Sequence, residues 1–203
     1  MPYFVAVHHQ VHPGCRQQRV EAVQADFAAS PVSHPGRKFG RLFEHLTDDT
    51  RLLAMEEWQG PLDFERHEQS AAYVEAIRAS GPAPRVDALE RLQHYRHMPH
   101  APTALDCTAI SSPARAAGVV EAYICDDERR DALVAGGLVL RAVYRVIGSA
   151  DRLLVLHGWR SMEHLERYLT GSAVATAATL VARGATVEQF AGQMAAEYSW
   201  LET

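Results

Sequence analysis

The stretch Arg51-Leu52-Leu53-Ala54-Met55-Glu56-Glu57-Trp58 recurs 101 residues later as Arg152-Leu153-Leu154-Val155-Leu156-His157-Gly158-Trp159. At the same offset Phe64-Glu65-Arg66-His67 is matched by Leu165-Glu166-Arg167-Tyr168. Beyond these the register slips by one, setting Ser70-Ala71-Ala72 against Ser172-Ala173-Val174. Two matches at one offset, in the same order, imply an internal repeat. The 203 residues then read as two small units instead of one large domain. Each unit would be marginal alone, because a chain of about 100 residues buries a modest share of its surface.

The local signals give both halves one element order. Tyr3 to Val11 is rich in β-branched and aromatic residues and reads as a strand that Pro13-Gly14 ends. Arg16 to Ala29 carries Val20, Val23 and Phe27 at helical spacing. Lys38 to His45 and Arg51 to Trp58 form a hairpin around Thr47-Asp48-Asp49. Gly60-Pro61 opens a helix running to about Ala79, and Val86 to Met98 is a fourth strand. In the second half Val119 to Cys125 reads as a strand and Asp127 to Val134 as a short helix. Leu138 to Ile147 and Arg152 to Trp159 pair as a hairpin. Ser161 caps a long helix to about Arg183, and Thr186 begins the last strand. Residues 99–116, with three prolines at 99, 102 and 113, look like a linker, in which Asp106 to Ser111 is a candidate extra strand.

The order β-α-β-β-α-β is the ferredoxin-like unit of an α+β protein. The expected domains are residues 1–98 and 117–203. An open antiparallel sheet with helices on one face leaves its other face apolar. Two such sheets in one chain can cover each other, so the expected architecture is an intramolecular pseudo-dimeric α/β barrel. A monomer of this kind, or its homodimer, is the expected assembly.

Charge and composition narrow the function. The net charge is −5 and no basic cluster is visible, which argues against nucleic acid or an anionic membrane as partner. No apolar run approaches bilayer length. The N-terminus lacks a basic region followed by an apolar stretch, and the three scattered cysteines read as reduced thiols, so a cytoplasmic location is expected. No Gly-rich phosphate loop or dinucleotide fingerprint supports a nucleotide cofactor. The stretch His94-Tyr95-Arg96-His97-Met98-Pro99-His100 invites a metal reading, but alternation would point His94 and His97 to opposite faces, and no metal site is assigned.

The opening strand ending in His12-Pro13-Gly14, the strand ending in Glu57-Trp58, and Phe64-Glu65-Arg66-His67 with Ser70 together resemble the antibiotic biosynthesis monooxygenase family of dimeric α/β barrels. Gly158-Trp159 and Leu165-Glu166-Arg167-Tyr168 carry a fainter likeness in the second half. The resemblance spans about residues 3–98 and 117–200. It implies a pocket between sheet and helices, and a chemistry in which several members oxidise anthrones with dioxygen and neither metal nor flavin. A related branch degrades haem, but places a Trp where His67 stands and its iron-ligating histidine where Ile77 stands. No cofactor is therefore expected, with haem as the alternative. The tyrosine and asparagine of anthrone oxygenases fall at Phe64 (Leu165 in the second half) and Val7, so other hydrogen-bond donors would be needed.

Alternation along β-strands groups Leu52, Ala54, Glu56 and Trp58 on one face, and Leu153, Val155, His157 and Trp159 on the matching face. The resemblance implies that Trp58 and Trp159 border the pocket and stack on a planar substrate; the alternative is a large core residue. Glu56 and His157 would each accept a proton if they face that pocket, and are solvent-facing otherwise. The resemblance also suggests that His9 shares the pocket face of Tyr3, Val5 and Val7, where a neutral imidazole is a candidate base; the alternative is a hydrogen-bonded, partly buried histidine. Glu121, inside an apolar run, is either an edge residue or a carboxylate with a raised pKa. His67, Tyr168 and Tyr73 complete the expected substrate-binding set, with His9, Glu121 and His157 as candidate catalytic groups. The leading expectation is a cofactor-independent monooxygenase acting on a polycyclic aromatic or polyketide-like phenol or anthrone. A non-catalytic ligand-binding or stress-response barrel and a cofactor-free cyclase or isomerase remain open. Because the second half has the shorter first helix, only one deep pocket is expected.

Overall fold

The computed structural model describes residues 3–96, 102–114, 116–149 and 151–199. Among these residues the elements run, in chain order, β1 (Tyr3–Gln10), α1 (Arg16–Ser33), β2 (Arg37–His45), β3 (Arg51–Trp58), α2 (Pro61–Glu68), α3 (Ala71–Ser80), β4 (Arg85–Arg96), β5 (Ala104–Ser111), α4 (Ala117–Ile124), α5 (Asp127–Ala135), β6 (Leu138–Val146), β7 (Arg152–Trp159), α6 (Met162–Thr170), α7 (Ser172–Ala182) and β8 (Thr186–Ser199). The chain forms two compact units, one from residues up to 89 together with those from 194 onward, the other from 90–193. Both have the β-α-β-β-α-β order of a ferredoxin-like unit. In the first unit β1 pairs with β4, and in the second β5 pairs with β8, both antiparallel.

In the first unit β3 is the central partner of both β1 and β2, antiparallel to each. Helices cover the face that Leu52, Ala54 and Trp58 share. Val5, Val7, Leu52, Ala54 and Trp58 from the strands pack with Val20, Phe27 and Phe64 from the helices. Gly14, at φ 82°, makes the turn into α1 that an L side chain would resist. Pro61 starts α2 where its missing N–H costs nothing. The single helix expected to run to about Ala79 is two helices, because the Ser70 hydroxyl accepts from the Tyr73 N–H at 3.3 Å and starts a new helix at Ala71.

In the second unit β7 takes the place of β3, with Asp106 opposite His157 on β5 and Arg141 opposite His157 on β6. Ile110, Val143, Leu153 and Val155 pack with Val120, Ile124 and Leu180. The expected strand Val119 to Cys125 is helix α4: Val120 and Ile124, one turn apart, are buried while Val119 is exposed. A five-residue apolar run carries no period long enough to separate the two structures. The first strand of this unit is β5, inside the stretch expected to be a linker. The expected long helix from Ser161 is also split, into α6 and α7 at Gly171. No helix among the described residues is long and apolar enough to cross a membrane.

Candidate active site in the first unit

Half of the cavity-lining residues on α1 and α3 are alanines. Ala22, Ala25 and Ala29 on α1 and Ala71, Ala72 and Ala76 on α3 line a cavity of about 640 Å³, floored by β1 and β3. Small side chains keep the helix yet leave space that leucines would fill. The corresponding cavity of the second unit measures about 240 Å³. The two sites are thus unequal, with the larger in the first unit.

Polar groups stand at two places on the wall. At the first, His9 on β1 meets the Arg19 guanidinium, whose Nη1 donates to His9 Nδ1 at 2.6 Å. Arginine only donates, so the His9 proton sits on Nε2. Burial, then the neighbouring Arg19 charge, lower the His9 pKa from 6.5 to about 3. His9 is therefore a neutral hydrogen-bond donor at ordinary pH, not the base expected of it. On the same cavity wall the Tyr73 hydroxyl is buried without a partner, and burial raises its pKa.

At the second, Arg37 organises a network. It forms ion pairs with Asp26, Nη1 to Oδ2 at 2.6 Å, and with Glu56, Nε to Oε2 at 3.3 Å, while Nη1 donates to Ser30 Oγ and Nη2 to His67 Nε2 at 3.1 Å. The Trp58 indole N–H also donates to Glu56 Oε2, at 2.9 Å. The indole hydrogen bond and the Arg37 ion pair both fall on Oε2, which leaves Oε1 to take a proton. Burial raises the Glu56 pKa, while Arg37 opposes that rise. Glu56 is only 6% exposed, so its solvent-facing alternative is not realised. Asp26, His34 and His67 place ligand atoms within 4.8 Å of one another, a spacing that could suit a metal ion. Arg37 argues against one, because its cation already neutralises Asp26 and its N–H needs the His67 lone pair at Nε2. The proton then lies on Nδ1, 3.3 Å from His34 Nε2.

The remaining candidates divide between the units. His67 and Tyr73 line the first cavity, with ring centroids 4.4 Å apart; His157 and Tyr168 line the second. His157 Nδ1 lies 3.3 Å from both Asp106 Oδ2 and the Tyr168 hydroxyl. Trp58 and Trp159 are fully buried and on neither cavity wall. Trp58 acts from behind: it tethers Glu56 and packs its ring 5.2 Å from that of His67. Glu121 is not in a strand but on α4, where it accepts from Arg145 at 2.8 Å and lines neither cavity. Ile77, at the position of the haem-degrading branch's iron ligand, is an apolar wall residue that offers haem no ligand. His97 and His100 lie outside the described residues, as does the side chain of His94. Arg19, Asp26, His34 and Arg37 were not anticipated. Their signal was present on α1, where Arg19, Val23, Asp26 and Ser30 recur at helical spacing on one face.

Residues 2–79 match the model of the antibiotic biosynthesis monooxygenase family. No curated protein matches the chain. Solved structures show the fold along its whole length. An anthrone oxidase-like protein superposes with TM-score 0.73 at 10% identity, covering 99% of this chain and 94% of the other. A proposed monooxygenase from Fusobacterium nucleatum gives TM-score 0.72 at 8% identity, with 98% and 94% covered. Another from Lactobacillus acidophilus gives 0.70 at 8%, with 98% and 96% covered. The first unit thus carries the match to the antibiotic biosynthesis monooxygenase family, and one polypeptide joins it to a second unit of the same ferredoxin-like fold.

Proposed function

We propose that the cavity of the first unit is the active site of a monooxygenase that oxidises a polycyclic phenol or anthrone with dioxygen and no redox cofactor. The observation that carries this reading is the pairing, on one apolar cavity, of a buried carboxylate with a free oxygen and a set of hydrogen-bond donors. Glu56 Oε1 removes a proton from the substrate's acidic C–H or O–H. Its raised pKa brings it closer to the acidity of such a group. The His9 Nε2–H and the Tyr73 hydroxyl donate to the substrate oxygen on which charge develops. They take the place of the tyrosine and asparagine used by relatives. The resulting carbanion passes an electron to dioxygen, and recombination forms the C–O bond. Loss of water from the hydroperoxide then gives the quinone.

The test is dioxygen uptake by chelator-treated protein with anthrone-type phenols. Uptake with quinone formation, reduced about 100-fold or more in Glu56→Gln, supports the reading. Turnover without dioxygen consumption assigns the same acid–base groups to an isomerase, and the oxygenase reading then fails.

A further inference from the structure

The Arg19 guanidinium is 1% exposed, yet all its partners are neutral. Nε donates to Ser80 Oγ at 2.5 Å, Nη1 to His9 Nδ1 at 2.6 Å and Nη2 to the Ile77 carbonyl at 3.0 Å. Among the described residues no carboxylate pairs with it. The other buried arginines of this unit differ: Arg37 holds Asp26 and Glu56, and Arg41 holds Glu197. Burying a cation without a counter-charge costs several kcal/mol, roughly, and such charges are normally paired. Of the five guanidinium N–H groups three are engaged, which leaves one on each terminal nitrogen. Arg19 lines the large cavity, and so do His9, with its Nε2–H, and Tyr73, whose hydroxyl has no partner.

We propose that this corner is a binding site for an anionic oxygen, and that the ligand of the first cavity is an aromatic molecule carrying a carboxylate or phenolate that pairs with Arg19. The alanine walls take the ring system. The free N–H of each terminal nitrogen reaches the anion, and His9 Nε2–H and Tyr73 complete its hydrogen bonds. The ligand thus supplies the counter-charge that the protein omits. This rests on the reading of the first cavity as the substrate site, and names the substrate's charge.

Three probes of one ring system test it by fluorescence titration of the full chain at neutral pH: 2-naphthoate, 2-naphthol and 2-methoxynaphthalene. The carboxylate is expected to bind about 10- to 100-fold more tightly than the methoxy compound, the range for a charge-assisted bidentate contact in a dry site. Bound 2-naphthol is expected to show the naphtholate absorption band if phenolates are the natural anion, and no such band if carboxylates are. Arg19→Met is expected to erase the preference, and Arg19→Lys to keep part of it. Should Arg19→Met fail to fold, the probe series on the unaltered protein still decides. Equal binding of 2-naphthoate and 2-methoxynaphthalene overturns the proposal, as does a folded Arg19→Met that keeps the preference. Binding is read without turnover, so a protein that prefers the anion yet consumes no dioxygen refutes only the oxygenase reading. One that turns over without preference refutes only the anion site.

Discussion

Replacing His9 by Asn should remove a measurable part of the acid sensitivity of this protein. The imidazole is buried against Arg19 and its pKa falls from 6.5 to about 3. The unfolded chain therefore binds a proton between these values that the folded chain does not. The stability associated with the neutral imidazole is fully present above pH 6.5 and is lost as pH falls toward 3. At pH 5 the loss relative to pH 8 is ~2 kcal/mol, with a ceiling of ~5 kcal/mol near pH 3. In His9→Asn the side-chain oxygen can take the place of Nδ1 as acceptor for Arg19 but cannot titrate. Urea unfolding followed by circular dichroism at pH 8 and pH 5 measures the difference. The unaltered protein should lose ~2 kcal/mol more than the variant between the two pH values, about 1 M in midpoint at an ordinary m-value. Equal acid losses would refute the reasoning and show that His9 becomes protonated without disturbing the fold.

Arg37→Met should destabilise the first unit by about 3–5 kcal/mol, because Asp26 and Glu56 lose their shared counter-charge while Glu56 stays buried; thermal unfolding checks this. Ala76→Leu places a larger side chain in the cavity between α1 and α3. It should weaken 2-naphthoate binding at least about 10-fold while changing stability by less than about 1.5 kcal/mol.

The parts of the fold read from sequence were those with a long period or a repeat. β3 and β7 carry the match at offset 101, and Trp58 and Trp159 pack against Phe64 and Tyr168 of the helices that follow, as the family resemblance implies. β5 reads only as a candidate extra strand over Asp106 to Ser111, although the same offset applied to Tyr3–Gln10 lands on all eight of its residues, Ala104–Ser111. Prolines on either side made that segment look like a linker. α4 was misread because Val119-Val120-Glu121-Ala122-Tyr123 is too short for its period to show, and the error carried Glu121 into the candidate site. The cavity was illegible for a different reason. Alanines on α1 and α3 satisfy a helix without announcing a face, and the space they leave exists only when the two helices meet. Likewise Glu56 and His157 were visible as a pair, but their burial, and the Arg37 network that sets Glu56 apart, depend on contacts distant in sequence.

The most direct test of the account compares dioxygen uptake by Glu56→Gln and His157→Gln with an anthrone-type phenol. The two substitutions occupy matching strand positions in the two units. Uptake that is lost in Glu56→Gln and kept in His157→Gln is the predicted result and places the chemistry in the first unit. Uptake kept in Glu56→Gln and lost in His157→Gln would contradict it.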